Sequence, residues 1–207
     1  MALMRIIDNK WMVVSISTEP EFKASTPRLL FEGLYINVGG VSEVVNLRLE
    51  SIDPAHYGTK VGVMIRNTLE PASPNASVVV TALGDITFQY RTMELEAAHS
   101  TDDTINRVGF PHWVRLTREA SQFTAQHSSD GVNWQTVQDK SSEQASSIEI
   151  SMDERVHMGL AITSGSPARR AQAHMASVIV TGLVNPGGQF AQVNDIGCLA
   201  DSMDCVK

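Results

Sequence analysis

Apolar residues in this chain recur with a period of two. In Glu43–Ile52, Val45, Leu47 and Leu49 alternate with Asn46, Arg48 and Glu50. In Ile86–Arg91, Ile86, Phe88 and Tyr90 alternate with Thr87, Gln89 and Arg91. Successive side chains of a strand point to opposite faces of a sheet, so this pattern marks strands with one buried and one wet face. No stretch keeps apolar residues at i, i+3, i+4 and i+7 for more than about two turns, which removes the amphipathic helix as a building block.

The remaining segments extend the pattern. Val61–Arg66 and Ser77–Leu83 are short apolar runs that suit central strands, and Gly84-Asp85 reads as the turn of a hairpin leading into Ile86–Arg91. Trp113–Thr117, Gln122–Ser128 and Trp134–Gln138 form a meander, joined by Arg118–Ser121 and by a turn at Asp130-Gly131 that needs positive φ. Ser147–Ile150, Val156–Ser164 and His174–Thr181 add further strands. Composition agrees: 21 Val, 13 Ile and 14 Thr stand against 13 Leu. A length of 207 residues suits one domain. The expectation is an all-β fold, an antiparallel β-sandwich or jelly roll.

The ends differ from the middle. Met1–Ser17 is apolar but broken by Asp8, Asn9 and Lys10, so it lacks the unbroken core of a secretory signal. Residues 1–28 read as a lead-in or first strand, and 29–183 as the sandwich. Asn185-Pro186-Gly187-Gly188-Gln189 is a linker signature that opens a tail over 184–207. Cys198 and Cys205 both lie in that tail, and compartment decides their redox state.

Charge and spacing exclude several functions. The net charge is -7 and no basic patch is dense enough to track phosphates, which argues against nucleic acid and anionic membranes. No apolar run approaches the ~20 residues of a membrane-spanning helix. The histidines show no ligand spacing with one another or with cysteine, so no metal site is expected. No phosphate loop, dinucleotide fingerprint or serine elbow occurs, and no cofactor is expected. Glu94 and Glu96 have the i, i+2 spacing of a glycosidase pair. They lie in the polar stretch Glu94–Arg107, which reads as a loop.

Arg66, Gln89 and Arg91 are the candidate ligand-binding residues. Planar polar donors on a sheet face suit hydroxyl or carboxylate recognition. The competing reading is that the arginines only cover the sheet and pair with Glu43, Glu50 or Asp85. Asp130, Gly131 and Trp134 are expected to be structural, the Asp bonding turn amides while the Trp packs under the hairpin.

Lys60–Arg66 (KVGVMIR), Phe88–Arg91 (FQYR), Pro111–Trp134, Val156–Ser164 (VHMGLAITS) and Ala173–Leu183 together carry a family resemblance. The chain resembles the bacterial β-sandwich module of the "regulation of enolase" type, in the concanavalin A-like lectin/glucanase superfamily. The resemblance covers roughly three quarters of the chain, from about Leu29 to Leu183. Two ends are notable. Glu21–Phe31 shows nothing like the family's usual opening segment, so the entry to the domain is expected to be altered or truncated. Asn194–Gly197 resembles the start of such a module, so a further repeat is expected to begin there. The resemblance implies a non-catalytic recognition module that binds a glycan or surface polymer, within an extracellular or cell-envelope protein. The alternatives are a structural or self-associating spacer and a divergent glycoside hydrolase. The missing carboxylate pair argues against the last.

Overall fold

The computed structural model describes the backbone of residues 2–7, 10–17, 23–24 and 28–32. It describes backbone and side chains over 42–53, 56–101, 107–137, 147–166 and 171–182. In chain order the strands are β1 (Ala2–Ile7), β2 (Lys10–Ser17), β3 (Lys23–Ala24), β4 (Arg28–Glu32) and β5 (Glu43–Asp53). They continue with β6 (Lys60–Arg66), β7 (Asn75–Thr81), β8 (Ile86–Arg91), β9 (His99–Ser100) and β10 (His112–Glu119). The last are β11 (Gln122–Ser128), β12 (Gln135–Thr136), β13 (Ser147–Glu149), β14 (His157–Thr163) and β15 (Gln172–Thr181). No helix occurs among the described residues.

Two antiparallel sheets pack face to face as a β-sandwich. One has the order β12-β11-β10-β5-β15, with β13 also beside β11; the other runs β14-β6-β7-β8-β9. The period-two expectation holds in β5 and β10, whereas β7 is buried on both faces from Ala76 to Val80, as suits a central strand. Val45, Leu47 and Leu49 of β5 and Val114 and Leu116 of β10 turn inward, fully buried. They meet Val61, Val63 and Ile65 of β6, Val78 and Val80 of β7, and Ile86 and Phe88 of β8. Burying each such side chain contributes about 1.5–3 kcal/mol, which sets the register because a one-residue slip would expose the whole row.

Gly62 shows how close the backbones come within the five-stranded sheet. A Cβ there would lie 1.9 Å from the Val78 carbonyl oxygen, so no larger residue fits without moving β7.

The amino-terminal region differs from the lead-in or single strand expected of it. β1 and β2 pair antiparallel, with Ile7 opposite Lys10, the residue that opens β2. β4 lies within the segment that the sequence assigns to the sandwich, yet its hydrogen bonds run to β2. The tail over 184–207, with Cys198 and Cys205, lies outside the described residues.

Candidate functional site

Arg66 and Arg91 occupy the outer face of the five-stranded sheet, on either side of Asn75 in β7. They are brought together, but not as a surface. Their exposures are 5% and 8%. Arg66 Nε donates to the Thr68 carbonyl at 2.6 Å, and its Nη2 donates to the Glu70 carbonyl. Arg91 Nε donates to the Glu96 carbonyl at 2.7 Å, and its Nη1 to the carbonyls of Pro71 at 2.7 Å and Ser73 at 3.3 Å. Burial, and then repulsion from Arg91, lower the Arg66 pKa. These donors are engaged by carbonyls of the two loops at 67–74 and 92–98, which corrects the expectation that they face a ligand. Gln89 is half-buried, one register step along β8, opposite Ser77. Of the competing reading only the partners differ: the arginines that pair with Glu50 and Glu43 are Arg48 and Arg118.

The turn at Asp130 has the geometry expected of a structural element. Asp130 Oδ1 accepts from the amides of Val132 and Asn133, both at 2.8 Å, and from the Ser128 hydroxyl at 2.8 Å. The Asn133 side-chain amide donates to Oδ2 at 2.7 Å. These bonds, the Asn133 amide first, hold the carboxyl far below the usual carboxylate range. Gly131 adopts φ +75°, and a Cβ there would meet the Trp113 ring at 2.8 Å. The indole under the turn is therefore that of Trp113, not Trp134.

Trp134 instead belongs to the outer face of the six-stranded sheet. The alternation that sends Val45, Leu47, Val114 and Leu116 inward sends Asn46, Arg115 and Thr117 outward, joined by Thr124 and Gln126 of β11. Gln126, Arg115 and Asn46 sit opposite one another across three strands, and Thr124 and Thr117 form the next row. These side chains line an open depression of about 550 Å³. Arg115 is fixed in two ways. Its Nε donates to Asn46 Oδ1 at 2.9 Å, and its guanidinium carbon lies 3.6 Å from the Trp134 ring centroid. Partial burial lowers its pKa, and at any ordinary pH it stays charged.

Carboxylates are sparse on this face. Glu50 is bound to Arg48, and Glu119 accepts from the Ser42 hydroxyl at 3.0 Å. Glu50 adjoins Leu49, which pairs with His112; Glu119 closes β10 seven residues further on. At ~3.3 Å per residue that is roughly 23 Å, against ~5–9.5 Å for a glycosidase pair. Glu94 is exposed in the loop after β8, and Glu96 caps that loop, accepting from the Met93 amide at 3.2 Å and from the Thr92 hydroxyl. Among the described residues no three His, Cys, Asp or Glu side chains are grouped to hold a metal, and no helix is long and apolar enough to cross a membrane.

Sequence reading passed over Asn46, Arg115, Thr117, Thr124 and Gln126. Their signal was the alternation itself, since all five sit at wet positions of three adjacent strands. Comparison with models of known protein families finds no match, and comparison with curated proteins finds none either.

Proposed function

We propose that this chain is a non-catalytic recognition module that binds a glycan or related hydroxylated polymer across the outer face of the six-stranded sheet. The observation that carries the reading is the fixed Arg115–Trp134 stack within an open row of amide and hydroxyl groups. Saccharides are recognised by polar donors and acceptors beside an aromatic or apolar surface, and the amides of Asn46 and Gln126 and the hydroxyls of Thr117 and Thr124 supply the former. Ile179, 48% exposed and opposite Asn46, supplies apolar surface at the rim. The distance between Glu50 and Glu119 argues against glycoside hydrolysis on this face. The concanavalin A-like jelly-roll assignment and an extracellular setting belong to the same proposal and rest on the sequence resemblance. The test is retention of the whole chain on a panel of immobilised polysaccharides, beside Thr117→Trp, which fills the depression. Retention of the parent and loss in the variant support the reading; no retention by any polymer refutes it.

A second reading, self-association, has one observation in its favour. β14 ends the five-stranded sheet, and its seven residues (HMGLAIT) hold no Lys, Asp, Glu or Pro to blunt the edge. Sedimentation over a range of concentrations decides it.

A further inference from the structure

We infer that the ligand of this face carries a carboxylate, and that the two Nη groups of Arg115 receive it. The inference rests on the glycan-binding reading above and narrows it to acidic saccharides of uronic type.

Arg115 Nε is committed to Asn46, and the guanidinium rests on Trp134. Neither Nη atom has a hydrogen-bond partner among the described residues. A guanidinium held at one nitrogen and along one face has lost most of its freedom before a ligand arrives. Its remaining edge is a fork of parallel N–H groups, the geometry that matches a carboxylate with two hydrogen bonds. Preorganisation of this kind lowers the ordering cost of binding.

The other charges on the face say how much negative charge it accepts. Arg48 is paired with Glu50, so among the described residues of this face Arg115 is the one cation without an acidic partner. Glu119 lines the same depression and repels further anions. The whole chain carries a net charge of -7. A dense polyanion would be opposed by both, whereas one carboxylate among neutral hydroxyls matches one fork among Thr117, Thr124, Gln126 and Asn46.

The experiment is calorimetric titration of the whole chain with oligogalacturonate, oligomannuronate and a glucuronate-containing oligosaccharide. Each is paired with its carboxyl-reduced counterpart, and dextran sulfate serves as the dense polyanion. The expected result is that at least one acid binds and its reduced counterpart binds at least about tenfold more weakly, the value of one charge-assisted contact. Arg115→Lys keeps the charge but not the fork, and should lose a similar factor while its melting temperature shows that the fold is intact. Equal binding of acid and reduced forms, or full affinity in Arg115→Lys, overturns the carboxylate assignment and leaves the glycan reading standing. Preference for dextran sulfate with all three acids silent also overturns it. Silence of every saccharide, acidic and neutral, overturns both.

Discussion

Glu43 and Arg118 face each other across β5 and β10 as directly paired residues on the inward side of the sheet, Nη1 to Oε2 at 3.3 Å. Both side chains are 7% exposed. Arg118 also donates from Nε to the Ala120 carbonyl at 2.8 Å and from Nη2 to those of Met152 at 3.2 Å and Asp153 at 2.9 Å. It thus ties the β10–β11 turn and the segment before β14 to the end of the core.

Removing one member of that pair strands the other. Arg118→Met should cost about 3–5 kcal/mol, because Glu43 would keep a buried charge or take up a proton. Its carboxyl is already raised by burial, with Arg118 acting against the rise. Glu43→Gln should cost less, since an amide oxygen can still accept from Arg118. Urea denaturation of the three proteins at neutral pH measures the order; equal stability of Arg118→Met and the parent would contradict it.

The opposite end of the same layer holds His112 and His127, stacked with ring centroids 5.3 Å apart and Nε2 3.1 Å from Nδ1. Burial, and then repulsion from His127, lower the His112 pKa to about 4. Between pH ~6.5 and ~4 the unfolded chain takes up a proton at this residue and the folded chain does not, so stability falls as the pH is lowered. The loss should be on the order of 3 kcal/mol and complete near pH 4. Glu43 acts in the opposite sense, since a raised carboxyl protonates first in the folded state. Melting from pH 7 to 4 should therefore show a decline that His112→Phe reduces; an unchanged slope in the variant would contradict it.

The Asp130 turn predicts a loss of stability without a change in binding face. Asp130→Ala removes the acceptor for two amides and two side chains and should lower the melting temperature by a few degrees. Gly131→Ala should lower it further, because it meets both the positive φ and the Trp113 ring. Thermal scans check both, and an unchanged midpoint in Asp130→Ala would contradict the structural role.

Arg91 predicts a local effect. Its guanidinium satisfies carbonyls of Pro71, Ser73 and Glu96 from beneath the loops. Leu95, which is 74% exposed with φ +63°, sits at the top of the second loop, its amide bonded to the Ala72 carbonyl at 3.2 Å. Arg91→Met should take this donor from the Pro71 and Glu96 carbonyls, while the Ser73 carbonyl keeps the Asn75 side-chain amide at 2.9 Å, and loosen the loops before the core. Limited proteolysis should cut near Met93–Leu95 faster in the variant; an unchanged cleavage rate would contradict the account.

Most of the sandwich was legible because burial imposes a period of two that the sequence must carry. Ile86–Arg91 and Gln122–Ser128 match the observed strands end to end. The binding candidates were less legible. Alternation puts Gln89 and Arg91 on one face of their strand, but it holds no information about which loops fold over that face. Arg115 looks no different from Arg91 in a list of wet positions. Only the pairing of β5, β10 and β11, which involves residues far apart in sequence, puts it beside Asn46 and Gln126. Trp113 and Trp134 both flank the Asp130 turn in sequence, and the close approach at Gly131 shows that Trp113 is the one beneath it.

The central claim is that the outer face of the six-stranded sheet is the binding surface. The most direct test is an amide and side-chain NMR titration of the whole chain with an oligosaccharide cut from a polymer that retains it. The account predicts shifts at Asn46, Arg115, Thr117, Thr124, Gln126 and the Trp134 indole, with Arg66, Gln89 and Arg91 unmoved. Shifts clustered on the five-stranded sheet around Gln89 and Arg91, with the Arg115 row silent, would contradict it.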